Sequence, residues 1–420
     1  MEEAPKILVI GTGDTKADEL EFIRESIERA GGRSLMLDIS ILGDPPYAPE
    51  YDKHSVAAAA GTTISAIIRS GDENSAMTLM SDGASRLARD LHERGEIDGM
   101  LAIGGTMGTD LALDVALQLP IGTPKFIVST IAYSHLIPPE RIAPDLMMIL
   151  WAGGLYGLNA TCRAVLSQAC GAVVGAARMG LRLHNRRPAV AISSLGKSCL
   201  AYVAALSPEL KKRGYEPVVF HTTGMGGRAL EGLAAQKAFA AVMDFSLQEV
   251  ANHLAGSVVT SGVDRMENAG HAGIPQIVAP GAIDMVDFPT WQATPSGYEE
   301  RPYHAHNRLI ASVTSDGETR RRIARTIGEK LAAAKGRTAF ILPAGGVQQW
   351  DMAGEPLHEP EALNAFIDEM RGTIPANVEF HEIPDHINSA AFAAKALEIF
   401  DAWVAEGIIP PGNCVAEAAA

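Results

Sequence analysis

The chain has 420 residues, 47% of them hydrophobic, 20% charged and 5% aromatic, with 41 glycines. At that length a single core has usually stopped growing, so two domains are expected, and the composition is that of a globular α/β protein rather than a disordered or collagen-like chain. A formal charge of −15 works against nonspecific attachment to nucleic acid or anionic membrane, both of which need clustered Lys and Arg.

The start, MEEAPKILVIGTG, carries acidic residues first and lacks the basic and apolar segments of a secretory signal, so a cytoplasmic location is expected. The longest apolar runs, such as Ala169 to Ala177, fall short of the roughly 20 residues that cross a bilayer. No membrane-spanning segment is expected.

Lys6 to Ile10 is a short β-branched run, followed by the loop Gly11, Thr12, Gly13, Asp14, Thr15, Lys16, a helical pattern to about Ala30 and a strand from Ser34 to Ile39. This β-loop-α-β order puts the glycine loop at a helix start, where backbone N–H groups and the helix dipole hold anions. The loop is neither a G-x-G-x-x-G nor a P-loop, and a tight turn with Asp14 or Thr15 as N-cap stands beside the anion reading. Asp38, ending the second strand, reads as an acceptor for a ribose hydroxyl or as a cap for its own loop.

Asp98 to Ile103 is another buried strand, stopped by Gly104 and Gly105 and followed through Thr106, Gly108 and Thr109 by a helix to about Leu117. Two glycine loops in one parallel sheet tend to face one crevice at the carboxyl ends of the strands. Ser129 and Thr130, after the strand Lys125 to Ser129, add hydroxyls at the same edge. Leu158 to Leu181 reads as a long helix packed tightly on its neighbours, and His184 to Pro188 as a linker. The Arg182 to Arg187 stretch reads as solvated linker rather than as a nucleic-acid contact. The expected domains are therefore 1–184, a nucleotide-binding Rossmann-like domain, and 188–420, a second one, both doubly wound with mainly parallel sheets.

In the second domain, strands are expected at Ala189 to Ser193, Pro217 to Phe220, Ser257 to Thr260, Gln276 to Ala279, Thr338 to Leu342 and Val378 to His381. Gly224 to Gly227 with Arg228 forms a third candidate anion cradle, with an Arg228–Glu231 ion pair as the plainer reading. His221, His304, His306 and His386, near Asp284, Asn307 and Asn388, are candidates to converge in a cleft as acids or bases; with no further ligand at metal spacing, hydrogen-bonded structural histidines are the favoured reading. Cys162, Cys170, Cys199 and Cys414 form no C-x-x-C pair, and burial as reduced thiols is expected. Cys199, near a helix start, is also a candidate for a lowered pKa. Lys197 beside it is a candidate phosphate or carboxylate contact, or simply a solvated side chain. The tail after Ala405 reads as lying loosely on the surface or reaching a neighbouring subunit.

Taken together and in this order, GTGDTKADE, AIGGTMGTDLA, STIAYS, FHTTGMGGRALE, SGVDRMENAG, PGAIDMVDF, HAHN and HINSAAFA resemble a family of mostly uncharacterised bacterial proteins. That family includes the ATP-binding amino-terminal region of the tomato mosaic virus resistance protein. The resemblance runs from Lys6 to about Trp403. It implies two Rossmann-like domains, commonly in a homodimer, with ATP bound by the first; the plant member uses this region to bind a viral replication protein. Carried over by motif, Gly11 to Lys16 and Gly104 to Thr109 are the nucleotide loops, and His221, Gly226, Gly227, Arg228, Asp284, His306 and Asn307 the second-domain face. The chain departs from its relatives at Ser193 to Cys199, where a Thr-rich segment ending in Pro-Cys is usual, and at Ala152 to Tyr156, where an aspartate is missing.

The leading expectation is an ATP-binding protein that acts on a small anionic metabolite at the interdomain cleft by phosphoryl transfer or ATP-dependent activation, with Mg²⁺ held by Asp14 or Asp110. The alternatives are an ATP-independent lyase or hydrolase using His221, Arg228, Asp284 and His306, and a binding module stabilised by ATP without catalysis.

Overall fold

A computed structural model describes residues 3–180 and 187–413. The chain divides into two compact units, Met1–Leu183 and His184–Ala420; Cys414 and most of the expected linker lie outside the described residues.

In the first unit five parallel strands, β1 (Lys6–Gly11), β2 (Arg33–Asp38), β3 (Gly99–Gly104), β4 (Lys125–Ser129) and β5 (Leu146–Leu150), run in the order β2-β1-β3-β4-β5. The helices are α1 (Ala17–Arg29), α2 (Lys53–Ala59), α3 (Ile64–Ile68), α4 (Glu73–Glu93), α5 (Thr106–Gln118) and α6 (Ala160–Met179). Alternation along each strand decides which helices cover which face. Leu8, Ile10, Leu37, Met100 and Ala102 pack with residues of α2 to α5; Ile7, Val9, Met36, Leu101 and Ile103 pack with those of α1 and α6. Both faces are thus buried, which is why these strands read as continuous apolar runs.

The helix α6 buries one face only, through Cys162, Leu166, Ala169, Cys170, Val173 and Val174. By length and composition it alone among the described residues passes as a membrane span, with a third of its apolar window buried. The opposite side of the helix, at Gly171 and Gly175, faces open space.

The second unit repeats the plan. Six parallel strands, β6 (Ala189–Ser194), β7 (Glu216–His221), β8 (Ala241–Asp244), β9 (Gln276–Val278), β13 (Thr338–Pro343) and β14 (Val378–Ile383), run in the order β14-β13-β9-β8-β6-β7. Three antiparallel strands, β10 (Met285–Pro289), β11 (Tyr303–Ala305) and β12 (Ile310–Thr314), form a separate insertion. The helices are α7 (Ala201–Lys212), α8 (Met225–Ala235), α9 (Gln248–Leu254), α10 (Asn268–His271), α11 (Gly317–Ala332), α12 (Pro360–Thr373) and α13 (Ala390–Ala405). Both units are doubly wound α/β folds.

Two expectations are corrected here. Ser257 to Thr260 is a loop, because the Ser257 hydroxyl accepts from Val259 N–H at 3.0 Å and the Val259 carbonyl is taken by the Asn252 amide at 2.8 Å. The tail to Asn413 is anchored rather than loose: Ile409 is buried, and the Tyr215 hydroxyl donates to the Pro410 carbonyl at 2.7 Å.

Candidate functional site

The strand order of the first unit reverses between β1 and β3, so the loops after these two strands leave in opposite directions and open a crevice between them. A cavity of about 650 Å³ lies there. Its lining carries the apolar side chains of Ile41, Leu42, Ile67, Ile68, Met77 and Met107, the polar Thr12, Thr15, Lys16 and Thr106, and the carboxylates Asp14, Asp72 and Glu73. Another cavity, of about 530 Å³, is lined by His92, Asp98, Pro120, Gly122 and Thr123. It sits at the amino ends of β3 and β4, opposite the edge where such sheets bind ligands.

The two glycine loops differ in what they have left to offer. In the first, Gly13 N–H donates to Asp38 Oδ1 at 2.9 Å, Asp14 N–H to Ser40 Oγ at 3.0 Å, and Thr15 and Lys16 N–H to the Thr12 carbonyl at 3.2 and 2.9 Å. Gly11 is there for packing, since a Cβ on it would sit 2.9 Å from Leu20; one on Gly13 would sit 2.8 Å from Pro45. The loop is a tight turn with the N–H groups of Gly13 to Lys16 spent, although α1 too starts without a side-chain cap. In the second loop, α5 has no side-chain cap at its start. The N–H groups of Thr106, Met107 and Gly108 fall in the first turn, where no intrahelical acceptor exists. A Cβ on Gly104 would lie 2.6 Å from the Gly108 Cα, so this strand-to-helix turn depends on glycine.

Several expected ligand contacts are corrected by these partners. Asp38 is buried, and its Oδ1 also takes Ser40 N–H at 3.0 Å and the Ser40 hydroxyl at 2.5 Å, so it fastens the first loop and does not line the cavity. Thr109 and Ser129 are buried and hydrogen-bonded to each other at 2.7 Å beneath the second loop. Thr130 N–H donates to the Gly104 carbonyl at 3.2 Å and also lies outside the lining; Gly105 is part of it. Of the two candidate Mg²⁺ carboxylates, Asp110 is bound by Arg141 at 2.8 Å, whereas Asp14 lines the cavity with Oδ2 accepting from Gly43 N–H at 3.1 Å.

In the second unit the expected anion cradle is already filled. Glu249, fully buried, accepts from Gly224 N–H at 2.6 Å and Gly227 N–H at 3.2 Å. Arg228 is tied to Asp264 at 2.7 Å, not to Glu231. The partner of Glu231 is Arg265, a buried guanidinium that also grips Asp244 in bidentate fashion at 2.5 and 2.6 Å and Glu249 at 2.7 Å. One cation among three buried carboxylates leaves negative charge in excess. Burial, opposed by Arg265, pushes Glu231 up to about 7 and raises Glu249 as well.

No hydrogen bond or ion pair joins any two of the four candidate catalytic residues His221, Arg228, Asp284 and His306 among the described residues. His221, exposed at the end of β7, accepts from Gly196 N–H at 3.2 Å. Asp284 is fully buried, its carboxyl pushed up to about 6 by burial; Oδ2 takes the Gln348 amide at 3.0 Å. Its Oδ1 has no hydrogen-bond partner among the described residues. His306 hydrogen-bonds the Ser312 hydroxyl at 2.6 Å, Ser312 in turn donates to the buried Asp287, and desolvation lowers the imidazole to about 4. Its ring and that of His304 pack on Trp350.

His386 bonds Asp351 at 3.0 Å, Asn388 donates its side-chain amide to the Ser198 carbonyl, and Asn307 closes the turn of the β11–β12 hairpin. The turn carrying Gln348, Trp350 and Asp351 thus collects Asp284, the histidine pair and His386 separately, a role that sequence reading missed. Lys197 is exposed. Cys199 is buried and its thiol is raised by burial, not lowered. Among the described residues no group of three or more His, Cys, Asp or Glu is arranged to hold a metal ion.

Two domain families, described as the N-terminal and C-terminal domains of an uncharacterised protein family, UPF0261, match residues 5–182 and 187–404. A UPF0261 protein of Brucella melitensis is 64% identical over 98% of both chains, and one of Clostridium tetani is 32% identical over 92% of this chain and 96% of its own. The tomato ToMV resistance protein Tm-1 is 28% identical over 94% of this chain, which spans 55% of that protein. A solved structure of an E. coli ADP-heptose LPS heptosyltransferase II aligns over 66% of the chain and 85% of its own at 12% identity, with a TM-score of 0.19, too low to carry an argument. The chain belongs to the UPF0261 family.

Proposed function

We propose that this UPF0261 protein binds a nucleotide, ATP by the resemblance of its motifs, in the first unit. The observation that carries the reading is the pairing, in one cavity at the β1/β3 reversal, of apolar side chains with a helix start whose N–H groups are uncommitted. An adenine ring suits the slot bounded by Ile41, Leu42, Ile67, Ile68 and Met77. Phosphate suits the first turn of α5, where Thr106, Met107 and Gly108 offer N–H groups and the helix dipole favours negative charge. Lys16 is the cation on the same lining. Magnesium, if it accompanies the phosphates, would meet Asp14.

The reading stops at binding. Phosphoryl transfer or activation of an acid requires, in addition, a second substrate group. A homodimer, which the resemblance implies, and a small anionic metabolite, expected beside the nucleotide, belong to the same proposal. Isothermal titration with ATP, followed by competition with AMP, tests the reading: saturable one-to-one heat displaced by AMP is expected, and no heat with either would refute it.

A further inference from the structure

Lys16 is the one cationic side chain on the lining of the first-unit cavity, which also carries Asp14, Asp72 and Glu73. The backbone donors of its own loop are spent on Asp38, Ser40 and Thr12. The one full positive charge this side of the cavity offers a phosphoryl group is the Lys16 ammonium, beside the Thr12 and Thr15 hydroxyls and the uncapped start of α1. Yet no carboxylate pairs with Lys16 among the described residues; its ammonium lies 4.8 Å from the centroid of the Tyr156 ring.

Tyr156 is 93% exposed, so burial does not account for its position. It stands on the segment Gly153 to Gly157, in which Gly154 and Gly157 have positive φ of 82° and 87°. That segment is fastened below by Gly157 N–H, which donates to the buried Glu19 at 2.8 Å, and by the Trp151 indole, which donates to the Gly154 carbonyl at 2.7 Å. The ring itself has no such anchor and lines the cavity. A cation over an exposed ring is weakly held, by an amount that a phosphate oxygen, with its full charge, exceeds.

We propose that Tyr156 is a latch on Lys16: the ring holds the ammonium in the empty cavity and yields it to the phosphoryl group of an entering nucleotide. Tyr156 thereby sets affinity for the phosphorylated ligand and not for the base. The inference rests on the nucleotide reading above, and deepens it by dividing the site into a base end that Tyr156 ignores and a phosphate end that it taxes.

The test is a double-mutant cycle on the full chain, with ADP and adenosine as probes. Tyr156→Ala is expected to tighten ADP about two- to five-fold, to leave adenosine unchanged, and to have no effect on ADP in a Lys16→Met background. Because Tyr156 is exposed the variant is expected to fold, and an unchanged melting temperature without ligand checks this. If Tyr156→Ala weakens ADP and adenosine alike, the ring is a platform for the base and the latch is wrong while the nucleotide reading stands. An unchanged ADP affinity also overturns the latch alone. If the parent binds neither probe nor ATP, the nucleotide reading fails and the latch falls with it.

Discussion

Glu249 lies so close against Gly227 that a Cβ on the glycine would overlap its carboxylate, and the same carboxylate accepts the N–H groups of Gly224 and Gly227 at the start of α8. The protein thus caps this helix with its own buried acid. A second-unit motif that resembles an anion site is a closed structural joint, fastened to Arg265 at 2.7 Å.

Gly227→Ala is therefore expected to destabilise the second unit by about 1–3 kcal/mol, the usual cost of overpacking a filled site. Thermal unfolding of the full chain checks it. Unchanged unfolding would mean that the joint is loose.

The buried acids contribute a pH dependence of one sign, opposed in part by His306, whose imidazole is lowered to about 4. Glu231, with an ordinary value of 4.5, is pushed up to about 7, and Asp287, ordinarily 3.8, to about 6. Between the unfolded and folded values the native state holds more protons than the unfolded one, so stability is greatest below the unfolded values and is lost as pH rises through the folded ones. Urea denaturation at pH 5.5 and 7.5 is expected to show lower stability at pH 7.5, and Glu231→Gln to reduce that difference. Parallel pH profiles for the two proteins would show that Glu231 carries no extra proton.

Removing the cation should be more damaging than altering one acid. Arg265→Ala leaves Asp244, Glu231 and Glu249 buried together without a counter-charge, and a loss of about 3–5 kcal/mol or failure to fold is expected. Expression and circular dichroism, compared with the exposed-site variant Arg371→Ala, check it; near-normal stability would contradict the network.

Much of the architecture was legible because strands buried on both faces are runs such as Lys6 to Ile10, broken by glycine where a helix begins. The four-residue strand Ala241–Asp244 carried too little pattern to be read, and Ser257 to Thr260 had strand composition without a neighbouring strand to pair with. The cavity's position was also legible, since the two loops are local motifs. Which loop keeps free donors was not. That depends on Asp38 and Ser40, some 25 residues from the N–H groups they take, just as the state of Gly224 to Gly227 depends on Glu249.

Met107 offers a way to separate fold from binding. It is exposed in the first turn of α5, which has no acidic residue. A carboxylate there complements the helix dipole by about 0.3–1 kcal/mol while occupying the proposed phosphate position. Met107→Asp is expected to keep or slightly raise thermal stability and to weaken ATP by about ten-fold or more, a loss of ~1.4 kcal/mol. Unaltered affinity would move the phosphate away from α5.

The most direct measurement is the thermal stability of the unmodified chain against ATP, ADP, AMP and adenosine, each with and without Mg²⁺. A ligand near 100 times its Kd adds about 2.7 kcal/mol to the folded state. A rise in melting temperature with the adenine nucleotides is expected, larger than that with adenosine and, for ATP with Met107→Asp at the same concentration, cut to about half or less. No rise with any of the four would contradict a nucleotide site in the β1/β3 cavity.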